Sequence, residues 1–196
     1  MIDDLLDMQR IVSGEVHLDL KPVDLRSLVK DVVETIRPAS DAKNIGIGLT
    51  FAAASIVVVG DAVRIQQIIW NVLNNAVKFT PMGGRIHVEV QQNCSTVQVS
   101  VTDNGAGIDP AFLPHVFERF QSAASHSSRQ AGLGLGLAIA KHLVELHGGF
   151  IGAQSAGIGH GSTFSIGFPV ASCLPSTPSL GRDAEGPEAA GVPQPS

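Results

Sequence analysis

The stretch that most narrows what this chain can fold into is residues 62–79, AVRIQQIIWNVLNNAVKF. Asp61 stands just before it as an N-cap, its carboxylate suited to the free amides of a first helical turn. At about 100° per residue, Ile65, Ile68, Ile69, Val72, Leu73 and Ala76 form one broad apolar face. Arg64, Gln67, Asn71, Asn74, Asn75 and Lys78 form the opposite stripe. A solvated helix face accounts for a polar stripe, but such faces favour Glu, Lys, Gln and Arg. Asn is a poorer helix former by a few tenths of a kcal/mol, and here Asn71, Asn74 and Asn75 crowd together. The alternative is a ligand on that side. Neutral amide oxygens hold Mg²⁺ without cancelling its charge, which leaves that charge for phosphate oxygens. Lys78 adds a point charge for the same phosphates.

The segments around this helix alternate between the two periodicities. Residues 2–12 carry Ile2, Leu5, Leu6, Met8 and Val12 at near-helical spacing and start without a cap, which reads as the tail of a longer helix. Residues 15–23 alternate as a strand. Asp24 caps a helix over 25–43 with Leu25, Leu28, Val32 and Ile36 on one side. Residues 45–52 and 56–60 are strand-like. Ile86, Val88 and Val90 face the same way as Val97, Val99 and Val101, with 91–96 as the turn of a hairpin. From 109 to 131 the pattern dissolves into a long loop, interrupted by the aromatic knot VFERF, and loops of that length inside a domain are usually functional. A helix closed by Gly148 and two last strands follow. Residues 171–196 are rich in Pro, Gly, Ser and Ala and read as a disordered linker or tail. The order predicts helices layered on one face of a sheet.

Bulk properties exclude some partners. The chain has 196 residues and a net charge of −5 with no block of Lys or Arg, which disfavours nucleic acid or an anionic membrane as the main partner. Cys94 and Cys173 lack metal-like spacing and fit a reduced, cytoplasmic setting. No apolar run approaches the roughly 18 residues that span a bilayer. MIDDLLDMQR has acids where a signal peptide needs a basic region.

Two glycine-bearing segments complete the set. VTDNGAGID follows a strand, so Asp103 stands at the strand end, where its carboxylate could accept from an amino group. Glycines there let a backbone approach a flat ligand, although Asp-Asn-Gly is also good turn chemistry. GLGLGLAIAKHL places alternating glycines before a helix, leaving free N–H groups at its positive end, or serving only as a hinge.

In this order, the motifs resemble the catalytic, ATP-binding domain of bacterial sensor histidine kinases. Residues 71–80 match that family's N box, 103–108 its first glycine box, 117–120 its F box and 132–136 its second glycine box, with GSTF at 161–164 a further small motif. The resemblance spans about residues 1–170. It implies an α+β two-layer sandwich, a mixed and mostly antiparallel sheet with about three helices on one face and a lid over ATP. Residues 1–14 would end a dimerisation and phosphotransfer helix, 15–170 would be the ATP-binding domain and 171–196 the tail. Asn75 would ligate Mg²⁺, Asn71 support the phosphate end and Lys78 contact phosphate. Asp103 would take the adenine amino group, within a box that includes Gly105, Gly107 and Ile108, Gly107 letting the base approach. Gly132, Gly134, Leu135 and Gly136 would form the lid hinge and phosphate-facing amides, and Thr163 the pocket floor. The partners implied are a dimerisation and phosphoacceptor domain and a response-regulator receiver domain.

Departures from the pattern bear on the chemistry. Gln121 and Ser122 follow the second Phe of the F box where an Arg is common, leaving Arg119 or Arg129 to supply that charge, and Ala131 replaces a common Gly. None of His17, His87, His115, His126, His142, His147 and His160 precedes an acid as the family's phosphoacceptor does, so the acceptor helix is expected to lie outside this chain. Gyrase, mismatch-repair and heat-shock chaperone ATPases of similar fold hydrolyse ATP with a Glu matching Asn71's place. An amide cannot serve as that base. Smaller features read blandly: Trp70 as a partly buried packing residue, and His147 beside Gly148 as a helix-end cation.

Overall fold

Asp24 is where strand turns into helix. The computed structural model describes residues 17–52, 56–120 and 134–170. A short strand β1 (Lys21–Asp24) runs directly into helix α1 (Leu25–Asp41). Asp24 stays extended and accepts from the Arg26 amide at 3.1 Å and the Ser27 hydroxyl at 2.7 Å, a side-chain N-cap. The strand expected over 15–23 is thus confined to its end within the described residues. Helix α1 buries Leu25, Leu28, Val29, Val32, Val33 and Ile36. Pro38 lies in its last turn, and the chain leaves through Asn44, whose φ of 52° is the left-handed turn that Asn tolerates.

Strands β2 (Gly46–Phe51) and β3 (Val57–Gly60) follow, then helix α2 (Ala62–Phe79), capped by Asp61 through the Val63 and Arg64 amides. The hairpin strands are β4 (Arg85–Gln92) and β5 (Thr96–Asp103). Helix α3 (Gly136–Leu146), β6 (Phe150–Gln154) and β7 (Ser162–Pro169) complete the chain. Five strands form one sheet in the order β2-β4-β5-β7-β6, in which β2 and β4 are parallel and the other pairs antiparallel. Strands β1 and β3 pair separately, antiparallel.

Alternation along the sheet decides which face is covered. Ile86, Val88, Val90, Val97, Val99, Val101, Phe164, Ile166 and Phe168 are buried beneath the helices. The residues between them present Gln98, Ser100 and Ser165, joined by hydrogen bonds, and Thr102 with Thr163 on the outer face. Each aliphatic side chain taken out of water on the inner face contributes about 1.5–3 kcal/mol, which fixes strand register, because a one-residue slip would expose the whole set.

The expected long loop is partly ordered. Asp109 receives the Phe112 and Leu113 amides, a single 3-10 turn covers Leu113–His115, and Phe117 meets Phe164 edge-on with ring centroids 6.2 Å apart. An aromatic anchored on the core pins that half of the segment. Residues 121–133 lie outside the described residues, as do the terminal helix expected at 1–14 and the tail at 171–196.

His147 is not the helix-end cation that the sequence suggests. It is buried, its Nδ1 lies 2.7 Å from the Leu143 carbonyl and its Nε2 accepts the Asp61 amide at 3.1 Å. One nitrogen must donate and the other accept, which is a neutral ring. It ties the end of α3 to the start of α2, with Phe168 edge-on against it.

Candidate functional site

Helix α2 carries the polar groups, and its neighbours give each a different setting. Asn74 is exposed, Asn75 and Lys78 are half-buried, and Asn71 is buried, only 7 % exposed. Asn71 therefore leaves the solvated stripe to which helical spacing assigns it. The reason is α3, whose first residue lies over it: a Cβ added at Gly136 would come 3.2 Å from Asn71 Oδ1. Asn71 Nδ2 is buried without a hydrogen-bond partner among the described residues. A buried amide left unpaired costs about 1–3 kcal/mol, so a partner is called for.

The start of α3 has the same character. Leu135 is buried at its N-cap position and offers no side-chain hydrogen bond, so the first-turn N–H groups have no side-chain cap. Gly134 precedes it with φ 66°, a left-handed turn that only glycine takes at little cost. Phe120 donates its amide to the Gly134 carbonyl at 3.2 Å, which joins the end of the aromatic knot to this turn. A free positive helix end beside an unpaired amide suits an anion such as phosphate.

At its other end α2 meets the Asp103 loop. Eight residues separate Asn71 from Phe79, about 12 Å at the helical rise. The Phe79 carbonyl accepts the Ala106 amide at 3.1 Å, and a Cβ at Gly105 would fall 2.5 Å from that carbonyl. Asp103 is buried at the end of β5, where Oδ1 accepts the Gly105 amide at 2.8 Å and Oδ2 the Ser162 hydroxyl at 2.6 Å. Two donors orient the carboxylate and leave it acceptor capacity for a third group, such as a ring amino group. Ser155 holds the neighbouring loop: its hydroxyl accepts the Ile108 amide at 3.0 Å and donates to the Gly161 carbonyl at 2.7 Å. Gly107 has φ 69° and a Cβ there would run into the Gly157 carbonyl, so it has a structural reason of its own to be glycine besides the approach of a ligand.

Comparison with known proteins decides the family. Residues 60–172 match the model of the histidine kinase-, DNA gyrase B- and HSP90-like ATPases. The chain belongs to that family. The ATPase domain is 36 % identical to hybrid signal transduction histidine kinase D of Dictyostelium discoideum, an alignment covering 87 % of this chain and 13 % of that protein. It is also 36 % identical to the sensor histidine kinase GacS of Pseudomonas protegens, over 93 % of this chain and 21 % of the other. The chain thus spans between about an eighth and a fifth of these relatives. Among solved structures, the mycobacterial sensor histidine kinase MprB superposes with a TM-score of 0.68 at 32 % identity, over 76 % of this chain and 97 % of that one. Full-length ShkA in complex with AMPPNP gives 0.76 at 31 %, over 86 % and 35 %. The two-layer α+β sandwich expected from the motifs is the fold observed, and the domain is of the histidine-kinase kind.

Most residues singled out in the sequence of the ATPase domain lie along one helix and the two loops at its ends. Gly136 lies over Asn71, Asn75 and Lys78 follow towards Phe79, and Asp103, Gly105, Gly107 and Ile108 form the loop beyond. The Lys78 ammonium lies 4.9 Å from the Phe79 ring centroid. Arg119 is exposed; Arg129 and Gly132 are outside the described residues. Thr163 borders the Asp103 depression, but its hydroxyl is turned to another partner. It pairs with Thr102, the two hydroxyls 3.0 Å apart, on the sheet face away from the helices. Ser162 and Thr163 both border a shallow depression of about 210 Å³ at the strand ends, but only Ser162 bonds to the carboxylate. Strand alternation from the buried Phe164 could have picked Ser162 in advance, since residues two apart share a face.

Proposed function

We propose that this domain binds ATP with Mg²⁺ and presents the γ-phosphoryl group to a histidine on the dimerisation domain of a sensor histidine kinase, from which a receiver domain takes it. The observation that carries this reading is the buried, unpaired Asn71 amide beneath the uncapped start of α3, with the Asp103 carboxylate at the far end of α2. In this reading, the α3 amides and Gly134 receive phosphate oxygens, Asn71 supports them and Lys78 adds positive charge. Asp103 accepts from the adenine amino group, and Ser162 holds it in place to do so. Bound Mg²⁺ supplies charge neutralisation across the phosphate oxygens, with Asn75 as its amide ligand. Among the described residues no three His, Cys, Asp or Glu side chains gather to hold a metal by themselves, so an ion shared with phosphates is the kind these amides suit. ShkA was solved in complex with AMPPNP, and this reading gives the present domain the same class of ligand.

Transfer requires the acceptor nitrogen in line with the bond to the β,γ-bridging oxygen. The N–P bond forms as that P–O bond breaks and its electron pair leaves with ADP, so positioning supplies most of the rate. The chain's residues hold the donor. Hydrolysis is disfavoured, because the Asn71 amide cannot take a proton from water. The cytoplasm is the matching compartment, where ATP and response regulators meet; no helix among the described residues is long and apolar enough to cross a membrane.

The test is incubation of the 196-residue chain with γ-labelled ATP and Mg²⁺, alone and with a separately supplied phosphoacceptor hairpin. The expected outcome is nucleotide binding without self-labelling, and weak acid-labile labelling of the hairpin, weak because the tether that raises effective concentration is absent. A module that only binds nucleotide would label nothing. Acid-labile phosphate on the chain alone, or no binding of ATP, contradicts the proposal.

A further inference from the structure

Lys43 reaches across from the far side of α2. It lies between the end of α1 and the start of β2, and its backbone carbonyl accepts the Gly83 amide at 2.9 Å. Its Nζ donates to the carbonyls of Val77 at 2.6 Å, Lys78 at 3.0 Å and Thr80 at 2.6 Å. A helix leaves its last carbonyls without internal partners. Here one ammonium takes three, and the fourth, on Phe79, takes the Ala106 amide of the Asp103 loop. All three donors of the ammonium are therefore used on one helix end. Half-burial of the side chain pushes its pKa below the ordinary lysine range.

We propose that Lys43 is a positioning residue for the nucleotide site, fixing the last turn of α2 so that Asn75 and Lys78 face the phosphates. It rests on the reading of this cleft as an ATP site. Two physical effects act together. The ammonium fixes where the backbone of the last turn lies, and Asn75 and Lys78 move with that backbone. It also opposes the negative end of the α2 dipole, roughly half an elementary charge, in the turn that carries Lys78. Lys43 touches neither phosphate nor base in this account; it acts through the helix end.

The experiment measures Mg-ATP by calorimetry and adenosine by NMR titration for the wild type, Lys43→Met, Lys43→Gln and Lys43→Arg, at a temperature where circular dichroism shows each folded. The expected result is about a tenfold loss of Mg-ATP affinity in Lys43→Met with less than about a threefold change for adenosine, and recovery of most of the loss in Lys43→Arg. A purely structural lysine would lower the melting temperature and leave the ratio of the two affinities unchanged; a ratio within about twofold of wild type in Lys43→Met overturns the inference. If that variant does not fold, Lys43→Gln carries the same ratio test, because its amide keeps donors for the carbonyls but no charge. If the wild type itself fails to bind Mg-ATP, the ATP reading and this inference fall together. If the wild type binds and the ratio does not move, only the role of Lys43 falls.

Discussion

Ser162 Oγ donates to Asp103 Oδ2 at 2.6 Å while the Gly105 amide donates to Oδ1 at 2.8 Å, so the carboxylate is held from two separate elements, β7 and the loop after β5. Removing the acid and removing its support should differ. Asp103→Ala is expected to abolish any preference for ATP over GTP, since a hydrogen bond to a charged group is worth roughly 1.5–3 kcal/mol, about ten- to a hundredfold in affinity. Ser162→Ala is expected to weaken ATP binding about two- to tenfold and keep the preference, because the acceptor remains. Calorimetric titration with both nucleotides decides; an unchanged preference in Asp103→Ala would sink its assignment.

Asn75→Ala is expected to reduce Mg²⁺-dependent ATP binding more than Lys78→Ala does. In the proposed site the first would remove a ligand of the ion, the second one of several charges near the phosphates. Titrations with and without a chelator give the ranking, which fails if Asn75→Ala binds Mg-ATP as tightly as the wild type.

Two glycine variants should separate binding from folding. At Gly136 a Cβ would press on Asn71 Oδ1 at 3.2 Å, while alanine is a better helix former than glycine by roughly 1 kcal/mol. Gly136→Ala is expected to keep or raise the melting temperature and weaken ATP binding several-fold. At Gly105 the Cβ would fall 2.5 Å from the Phe79 carbonyl, which cannot yield as a side chain can, so Gly105→Ala should lower stability as well. Melting curves and titrations on both variants check the contrast.

His147→Ala is expected to cost about 2–4 kcal/mol, because it leaves the Asp61 amide without the ring nitrogen, leaves the Leu143 carbonyl only the backbone amide of residue 147, and opens a cavity beside Phe168. Urea denaturation measures this. A change under about 0.5 kcal/mol would mean that the ring does not link the two helices as described.

Asp61 gives the acid limb of stability a defined sign. Burial raises its pKa, but the amides of Asp19, Arg64 and Val63 and the Arg64 charge outweigh that and hold it below the ordinary aspartate value of 3.8. A depressed carboxylate stabilises the fold above the unfolded pKa and loses that contribution as pH falls through the folded one. Stability should therefore drop below about pH 4, and Asp61→Asn should flatten that limb while keeping a side-chain N-cap, because Asn caps a helix about as well as Asp. Denaturation midpoints from pH 2 to 7 test it, and an unchanged acid limb in the variant would refute the assignment.

Local chemistry written in the sequence survived into the structure wherever it depends on near neighbours. Asp24 and Asp61 cap their helices, the alternation of Val97, Val99 and Val101 set the covered face of β5, and the N box and glycine boxes pointed to the family. These signals have periods of two or 3.6 residues, or fixed short spacings, and need no distant partner. What only the tertiary structure decided depends on what lies opposite. Asn71 sits on the polar side of a helical wheel, yet the start of α3 covers it and makes it the buried amide of the cleft. His147 carries the signature of a helix-end cation, yet the Asp61 amide, 86 residues away in sequence, fixes it as a neutral acceptor. Lys43 reads as the last residue of a helix, yet its ammonium closes the end of another. A side chain's charge state and hydrogen-bond role are set by the groups within about 3 Å of it, and in a folded chain most of those come from residues remote in sequence.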